Sequence, residues 1–136
     1  MDYISSSTKE TEKLAQKFLN LKPNARLIGL SGDLGSGKTV FVKGVAKELG
    51  INKNITSPTF VVEKIYQHKS GKLIHIDAYR LSSFSDLEVL GFNELLSDKK
   101  NIIMIEWPEL VFSQYPETME IIKFSYVNEK QRKISW

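Results

Sequence analysis

The residues best suited to chemistry are eight consecutive positions that match the pattern G-x-x-x-x-G-K-[ST]: Gly32, Asp33, Leu34, Gly35, Ser36, Gly37, Lys38 and Thr39. Glycines in such a loop let successive backbone N–H groups point at one centre, where they and the following helix N-terminus bind a β-phosphate. Lys38 would neutralise charge on the β- and γ-phosphates, and the Thr39 hydroxyl would ligate Mg²⁺. We predict that these eight residues bind a nucleotide, together with Val40 and Asp77. The alternative is a glycine-rich turn that binds no ligand.

Two acidic residues that follow apolar runs are the candidate partners of this loop. Asp77 comes after the run 73–76, and Glu106 comes after the run 102–105. Ligands of an open α/β sheet bind at the carboxyl ends of its strands. A phosphate-loop site needs an acid there for Mg²⁺, and often a second acid to orient the attacking water. We predict that Lys38, Asp77 and Glu106 are catalytic. The alternative for each acid is a solvated carboxylate where a strand surfaces.

The sequence favours ATP over GTP. Guanine recognition needs an Asn-Lys-x-Asp element, but Ile55 stands where the Asp should be after Asn52 and Lys53. No Asp-x-x-Gly element begins at Asp77, because Arg80 occupies its fourth position. A small-molecule kinase usually clamps an anionic substrate with several arginines, and this chain has three. Arg80 could stabilise a transferred phosphate or pair with a neighbouring acid, and the sequence leaves both readings open.

The hydrophobic pattern predicts the elements that position these residues. Ser7 and Glu10 have capping-box spacing before a helix over about 8–19. A buried strand over 26–31 precedes the glycine loop, and a helix over 38–49 follows it, with Gly50 as its left-handed stop. A long loop then runs from 51 to about 59.

The rest of the chain adds strands and short helices. Apolar runs at 60–66 and 73–79 flank Ser70 and Gly71, which predicts an antiparallel pair. His75 alternates with isoleucines and is expected to face across that hairpin rather than a metal. Further predicted elements are short helices at 85–90 and 93–96, a strand at 101–107 and a hairpin of strands 120–127 and 132–136. We predict a three-layer α/β fold with a mixed, mainly parallel sheet, in one domain over 1–136.

Composition excludes several classes of function. The 136 residues hold 19 Lys+Arg against 16 Asp+Glu, and the lysines are spread along the chain, which is typical of a solvated surface rather than a nucleic-acid reader. There is no cysteine and there are only two histidines, so thiolate and His-based metal cages are excluded. The first residues resemble no signal peptide, and no apolar run is long enough to span a membrane. These features predict a cytoplasmic protein.

Four motifs together resemble one family closely: the glycine loop 32–39, Ser57-Pro58-Thr59-Phe60, the segment 75–81 (His-Ile-Asp-Ala-Tyr-Arg-Leu) and Ile105-Glu106-Trp107-Pro108. Their order and spacing are similar to those of the TsaE family, and the resemblance covers nearly the whole chain. It implies a P-loop NTPase fold with helices on both faces of the sheet.

The resemblance also implies roles for individual residues. The 57–59 loop resembles the family's switch-type segment near the γ-phosphate, which adds Thr59 to the catalytic residues. Asp77 and Glu106 resemble the family's two acidic positions, and Thr39 with Glu106 would be the Mg²⁺ ligands. Trp107 resembles the family's tryptophan beside that site.

The function that the resemblance implies is Mg²⁺-dependent ATP binding and hydrolysis, with ADP as product. This activity would serve threonylcarbamoyladenosine modification at position 37 of tRNA. The partners would be TsaB and TsaD, whose heterodimer carries the transferase site, and tRNA would be contacted only through that complex. Two alternatives remain open from the sequence: a nucleotide-sensing module with little turnover, and a small-molecule kinase.

Overall fold

The computed structural model describes residues 1–56 and 62–136. Seven strands are described: β1 (Asp2–Ser5), β2 (Leu27–Ser31), β3 (Glu63–His68), β4 (Gly71–Asp77), β5 (Ile102–Glu106), β6 (Met119–Asn128) and β7 (Gln131–Ser135). Four α-helices accompany them: α1 (Thr8–Leu21), α2 (Lys38–Glu48), α3 (Phe84–Val89) and α4 (Phe92–Ser97). Single 3₁₀ turns follow β4 at Ala78–Arg80 and β5 at Pro108–Leu110.

Helix α1 begins and α2 ends as their capping residues predict. The Ser7 hydroxyl accepts a hydrogen bond from the Glu10 N–H at 3.1 Å, while the Glu10 carboxylate accepts one from Ser6 N–H rather than from Ser7. Gly50 follows the C-cap residue Leu49 of α2, adopts φ 79° and donates its N–H to the carbonyl of Lys47. Glycine adopts the left-handed backbone conformation at the lowest energy. The predicted start of α1 and the predicted end of α2 are both confirmed.

All seven strands form one sheet in the order β1-β7-β6-β2-β5-β4-β3. The four central strands β6, β2, β5 and β4 run parallel to one another, whereas β3 pairs antiparallel at one edge and β7 and β1 do so at the other. The carboxyl ends of β2, β4 and β5 therefore meet at one edge of the parallel part.

Two apolar cores cover the two faces of the sheet. The first packs α1 and α2 against one face, through Phe18, Phe41 and Val45 among others. The second packs α3 and α4 against the opposite face, through Leu87, Phe92 and Ile103 among others. This confirms the predicted three-layer α/β fold with a mainly parallel mixed sheet.

The largest departure from the predicted elements is strand β1. The hydrophobic pattern of Asp2–Ser5 predicts no strand, yet the segment pairs with β7 along its whole length. Tyr3 stacks on Trp136 with ring centroids 4.5 Å apart, which anchors this edge. Smaller differences concern ends: β3 starts at Glu63, and the predicted start at Phe60 lies outside the described residues.

Within the described ranges, no helix is both long enough and apolar enough to cross a lipid bilayer.

Candidate functional site

The glycine loop between β2 and α2 is shaped by backbone conformations that favour glycine. Gly35 and Gly37 adopt φ 73° and 104°, in the left-handed region, and a Cβ at either position would meet no atom within 4 Å. Gly32 is required for a different reason, because a Cβ there would lie 2.7 Å from the Phe124 carbonyl oxygen. The loop therefore packs tightly against β6 at its start and stays open further along.

The N-terminus of α2 faces this loop without a side-chain cap. Gly37 is the N-cap residue and has no side chain to accept hydrogen bonds from the first-turn N–H groups. Ser36 lies beside it, 5% exposed, and its hydroxyl has no hydrogen-bond partner among the described residues. Unsatisfied donors at a helix N-terminus fit an anionic ligand, as phosphate-binding loops do.

Lys38 is held inside the loop. Its ammonium donates hydrogen bonds to the carbonyls of Gly32 and Asp33, the second at 2.8 Å, and lies 4.3 Å from the centroid of the Trp107 ring. Burial lowers the pKa of Lys38, and the negative charges of Glu106 and Asp77 partly oppose that shift. In this conformation the ammonium binds the loop's own carbonyls.

The two predicted acids are neighbours across two parallel strands. In the β4–β5 register, Asp77 pairs with Glu106 at the carboxyl ends of both strands. Asp77 caps the following 3₁₀ turn by accepting a hydrogen bond from Tyr79 N–H at 3.0 Å. Both side chains therefore reach the same edge of the sheet as the glycine loop, as the strand-end argument predicted.

Glu106 is bound by two side chains of the site. Its Oε2 accepts a hydrogen bond from the Thr39 hydroxyl at 3.1 Å and lies 2.6 Å from His75 Nε2. Glu106 is 4% exposed, so its carboxylate is almost wholly removed from solvent. A buried carboxylate needs such partners, because burying an unpaired charge is costly.

The expected orientation of His75 is wrong. It was predicted to face across the β3–β4 hairpin, but its ring reaches Glu106 on β5, on the other side of β4. The reason is strand order, since β5 lies beside β4 and Glu106 shares the face to which His75 points. No spacing within one strand carries that information.

Trp107 is the residue through which the chain leaves β5. It adopts φ 61° and ψ 49°, and it is the one non-glycine residue with positive φ in the described ranges. Its ring contacts Tyr79 at 5.2 Å between centroids, besides Lys38. Backbone strain of this kind is most often found at functional sites.

The glycine loop, α2 and the strand ends enclose a cavity of about 330 Å³. Its described lining consists of residues 34–40 with Asp77, Glu106 and Trp107. Most of the predicted nucleotide-binding residues are thus brought together here. Gly32 and Asp33 lie outside the lining, and their carbonyls bind Lys38 instead.

A second cavity of similar size, about 330 Å³, adjoins the first and shares Gly35, Ser36, Gly37 and Val40 with it. Its other described walls are residues 5–8, Thr11, Glu129, Lys130 and Arg132. Sequence reasoning missed these residues as site candidates. These residues reach the site because the pairing of β1 with β7 brings the start of α1 to the glycine loop. The local sequence pattern does not predict that pairing.

Two further sequence candidates have different outcomes. Thr59 lies outside the described residues. Arg80 ends the 3₁₀ turn after Asp77, is exposed, and makes no salt bridge with any residue in the described ranges. A larger cavity of about 740 Å³, beside α3 and residues 109–116, contains none of the predicted site residues.

The oxygen donors present suit Mg²⁺. Thr39 and Glu106 place a hydroxyl and a carboxylate 3.1 Å apart at the cavity wall. Mg²⁺ typically takes one or two protein oxygens and completes its shell with phosphates and water. In the parts of the chain that are described, no three His, Cys, Asp or Glu side chains converge on one metal position. The residues therefore fit an ion held jointly with a phosphate ligand.

Known proteins similar to this chain agree with one another. The family model described as "Threonylcarbamoyl adenosine biosynthesis protein TsaE" matches residues 5–134. The protein of that name from Borreliella burgdorferi is 41% identical over 111 residues, covering 82% of this chain and 80% of that protein. The one from Treponema pallidum is 36% identical over 135 residues, covering 99% of this chain and 98% of that protein.

A solved structure agrees as well. The crystal structure of Bacillus subtilis YdiB superposes with a TM-score of 0.79 and 28% sequence identity, covering 98% of this chain and 82% of that one. With the phosphate loop, the paired acids and these similarities together, the chain belongs to the TsaE family of threonylcarbamoyl adenosine biosynthesis proteins.

Proposed function

We propose that this chain is a Mg²⁺-dependent ATPase that acts with TsaB and TsaD in threonylcarbamoyladenosine modification of tRNA. The observation that carries the proposal is the meeting of three groups at one cavity: the uncapped N-terminus of α2, the Lys38 ammonium and the Thr39–Glu106 pair. Binding a nucleoside triphosphate with its metal ion needs all three: backbone donors, a fixed cation and metal ligands.

The phosphates would bind in the first cavity, at residues 34–40. First-turn N–H groups of α2 and the unpartnered Ser36 hydroxyl would donate to phosphate oxygens. Lys38 would leave the carbonyls of Gly32 and Asp33, because a phosphate is a stronger acceptor for an ammonium than a neutral carbonyl. The adjoining cavity, with residues 5–8 and Arg132, would receive the rest of the nucleotide.

Thr39 and Glu106 would hold Mg²⁺, and the two acids, Glu106 and Asp77, would have different roles. Bound Mg²⁺ would neutralise charge on the phosphate oxygens during transfer. Glu106 has two partners that fix its carboxylate, which suits a ligand. Asp77 is its neighbour in the strand register, lines the same cavity and is proposed to orient the attacking water.

Two features support slow turnover by the isolated chain. Lys38 is bound to the loop itself, so part of the binding energy of ATP is spent on releasing it. Arg80 follows Asp77 by three positions in the chain and is exposed. A cation supplied in trans can raise the rate of phosphoryl transfer by about 10³–10⁵. TsaB–TsaD is the proposed source of that stimulation, with tRNA contacted only through the complex, in the cytoplasm.

Phosphate release tests this function. The isolated chain is expected to turn over at less than about 1 s⁻¹, and stoichiometric TsaB–TsaD is expected to raise that rate. A rate at or above this value that the partners leave unchanged contradicts partner stimulation. Tight ATP binding without turnover under either condition would favour the nucleotide-sensing module, and phosphate appearing on a small acceptor would favour a kinase.

A further inference from the structure

His75 is a buried polar residue whose only part in the proposed mechanism so far is its contact with Glu106. Its side chain is 0% exposed, and its Nε2 lies 2.6 Å from Glu106 Oε2. An ionised carboxylate only accepts hydrogen bonds, so this ring nitrogen carries the hydrogen and donates it. The other ring nitrogen, Nδ1, is buried and has no hydrogen-bond partner among the described residues.

The hydrogen bonds to Glu106 are distributed unevenly over its two oxygens. Thr39 and His75 both bind Oε2. In residues 1–56 and 62–136, no hydrogen bond reaches Oε1. The carboxylate is therefore held by one oxygen, while Glu106 lines the cavity at the glycine loop.

Of the two groups that hold Oε2, only His75 stands outside the phosphate loop. Thr39 opens the helix at the phosphate loop and is itself a proposed Mg²⁺ ligand. Its hydroxyl can bind the ion through a lone pair and still donate to Glu106, but its position then depends on the bound ion and nucleotide. The torsion that rotates a glutamate carboxylate has a broad energy minimum, so an unheld carboxylate samples many orientations. A donor that does not move with the nucleotide would remove that freedom.

We propose that His75 is a positioning residue that fixes the Glu106 carboxylate for Mg²⁺ in the nucleotide complex; this inference rests on the proposed function. Leu73 and Met104, on the same face as His75, are buried and apolar, so packing against them does not require a polar side chain at position 75. A buried imidazole with one unsatisfied nitrogen is less stable there than an apolar side chain would be. The hydrogen bond to Glu106 is the feature that an apolar residue cannot replace.

Three substitutions separate positioning from packing. His75→Leu removes the donor, His75→Gln carries an amide N–H at about the reach of Nε2, and His75→Asn carries the same amide on a shorter side chain. The measurement is calorimetric titration of Mg²⁺ into the preformed protein–ADP complex, with metal-free ADP binding measured separately.

We expect His75→Leu and His75→Asn to weaken Mg²⁺ binding by about 10–100-fold, the usual effect of losing a group that orients a metal ligand. His75→Gln should recover most of the affinity. Metal-free ADP affinity should stay within about twofold in all three variants, since none touches the phosphate donors. Met104→Leu is the matched control, because Met104 pairs with His75 in the strand register and is buried on the same face.

The double variant with Glu106→Gln tests whether His75 acts through Glu106. If it does, His75→Leu adds almost nothing to the Mg²⁺ defect of Glu106→Gln. Parent-like Mg²⁺ affinity in His75→Leu, or equal losses in the Gln and Asn variants, would overturn the inference. If His75→Leu does not fold, the Gln and Asn pair decides. Failure of the parent chain to bind Mg²⁺ with ADP would instead refute the proposed function, and this inference with it.

Discussion

The two faces of strands β4 and β5 differ in polarity and in what their side chains contribute. The buried part of the face toward α3 and α4 is aliphatic on these strands and consists of Ile74, Ile76, Ile103 and Ile105. The face toward α2 begins in the same way but ends in His75, Asp77 and Glu106. An apolar face tolerates any well-packed side chain of similar volume, whereas the polar face depends on individual atoms. The difference predicts that substitutions on one face change stability and those on the other change chemistry.

The largest expected effect is on the apolar face. Ile103→Ala should lower the free energy of unfolding by about 2–5 kcal/mol, because Ile103 is fully buried and the substitution leaves a cavity. Urea denaturation measures this, with Ile103→Val as the graded control at about 0.5–1.5 kcal/mol. ADP affinity of the folded protein should not change. A loss of affinity without a loss of stability would mean that the two faces are not separable.

Glu106→Gln, on the polar face, should impair ATP hydrolysis rather than stability. ATP hydrolysis should fall by about 10²-fold or more, because metal-linked charge stabilisation contributes several kcal/mol in the transition state. ADP affinity should fall by less than tenfold, and stability should be nearly unchanged. Phosphate release and calorimetry at saturating Mg²⁺ measure both. Glu109→Gln, the same change at a nearby exposed acid, is the control. If Asp77→Asn alone shows the hydrolysis defect, the two acids exchange roles.

Lys38→Met should weaken ATP and ADP binding by about 10–100-fold, since a charge-assisted contact contributes about 1.5–3 kcal/mol. The domain should remain folded, because the substitution removes a buried charge and keeps an unbranched side chain. Calorimetric titration measures the affinity, and Lys43→Met, later in α2, is the control. Unchanged affinity in the folded Lys38 variant would mean that the phosphates bind elsewhere.

The smallest effect is a pH dependence. Burial lowers the pKa of Lys38 below 10.5, so between that lowered value and 10.5 the unfolded chain binds more protons than the folded chain. The free energy of unfolding of the nucleotide-free protein should therefore rise with pH in this window, by at most about 1.4 kcal/mol per pH unit. Lys38→Met should remove that rise and Lys43→Met should keep it. Identical pH profiles for the parent and Lys38→Met would contradict a buried ammonium.

Local features of this fold could be predicted from sequence because their causes are local. The glycine loop lies between a strand and a helix because its own residues set those boundaries. The capping of α1 at Ser7 and the stop of α2 at Gly50 depend on a few adjacent residues. The edge position of Asp77 and Glu106 followed from one rule about parallel strands, and the structure places the two side by side.

Features that depend on strand order could not be predicted in the same way. The His75–Glu106 contact requires β4 and β5 to be parallel neighbours, although 31 positions separate the two residues. The wall formed by residues 5–8 requires β1 to pair with β7. Strand β1 is four residues long and has only one buried position, so its hydrophobic pattern carried too little signal.

The pairing of β1 with β7 also has a consequence for synthesis on the ribosome. Asp2–Ser5 is translated long before its hydrogen-bonding partner, Gln131–Ser135. Contacts between such distant segments form late, because a long loop must close before they contribute. Residues 5–8 can therefore be fixed beside the glycine loop only after β7 has formed. The nascent chain would complete the second cavity only after β7 emerges.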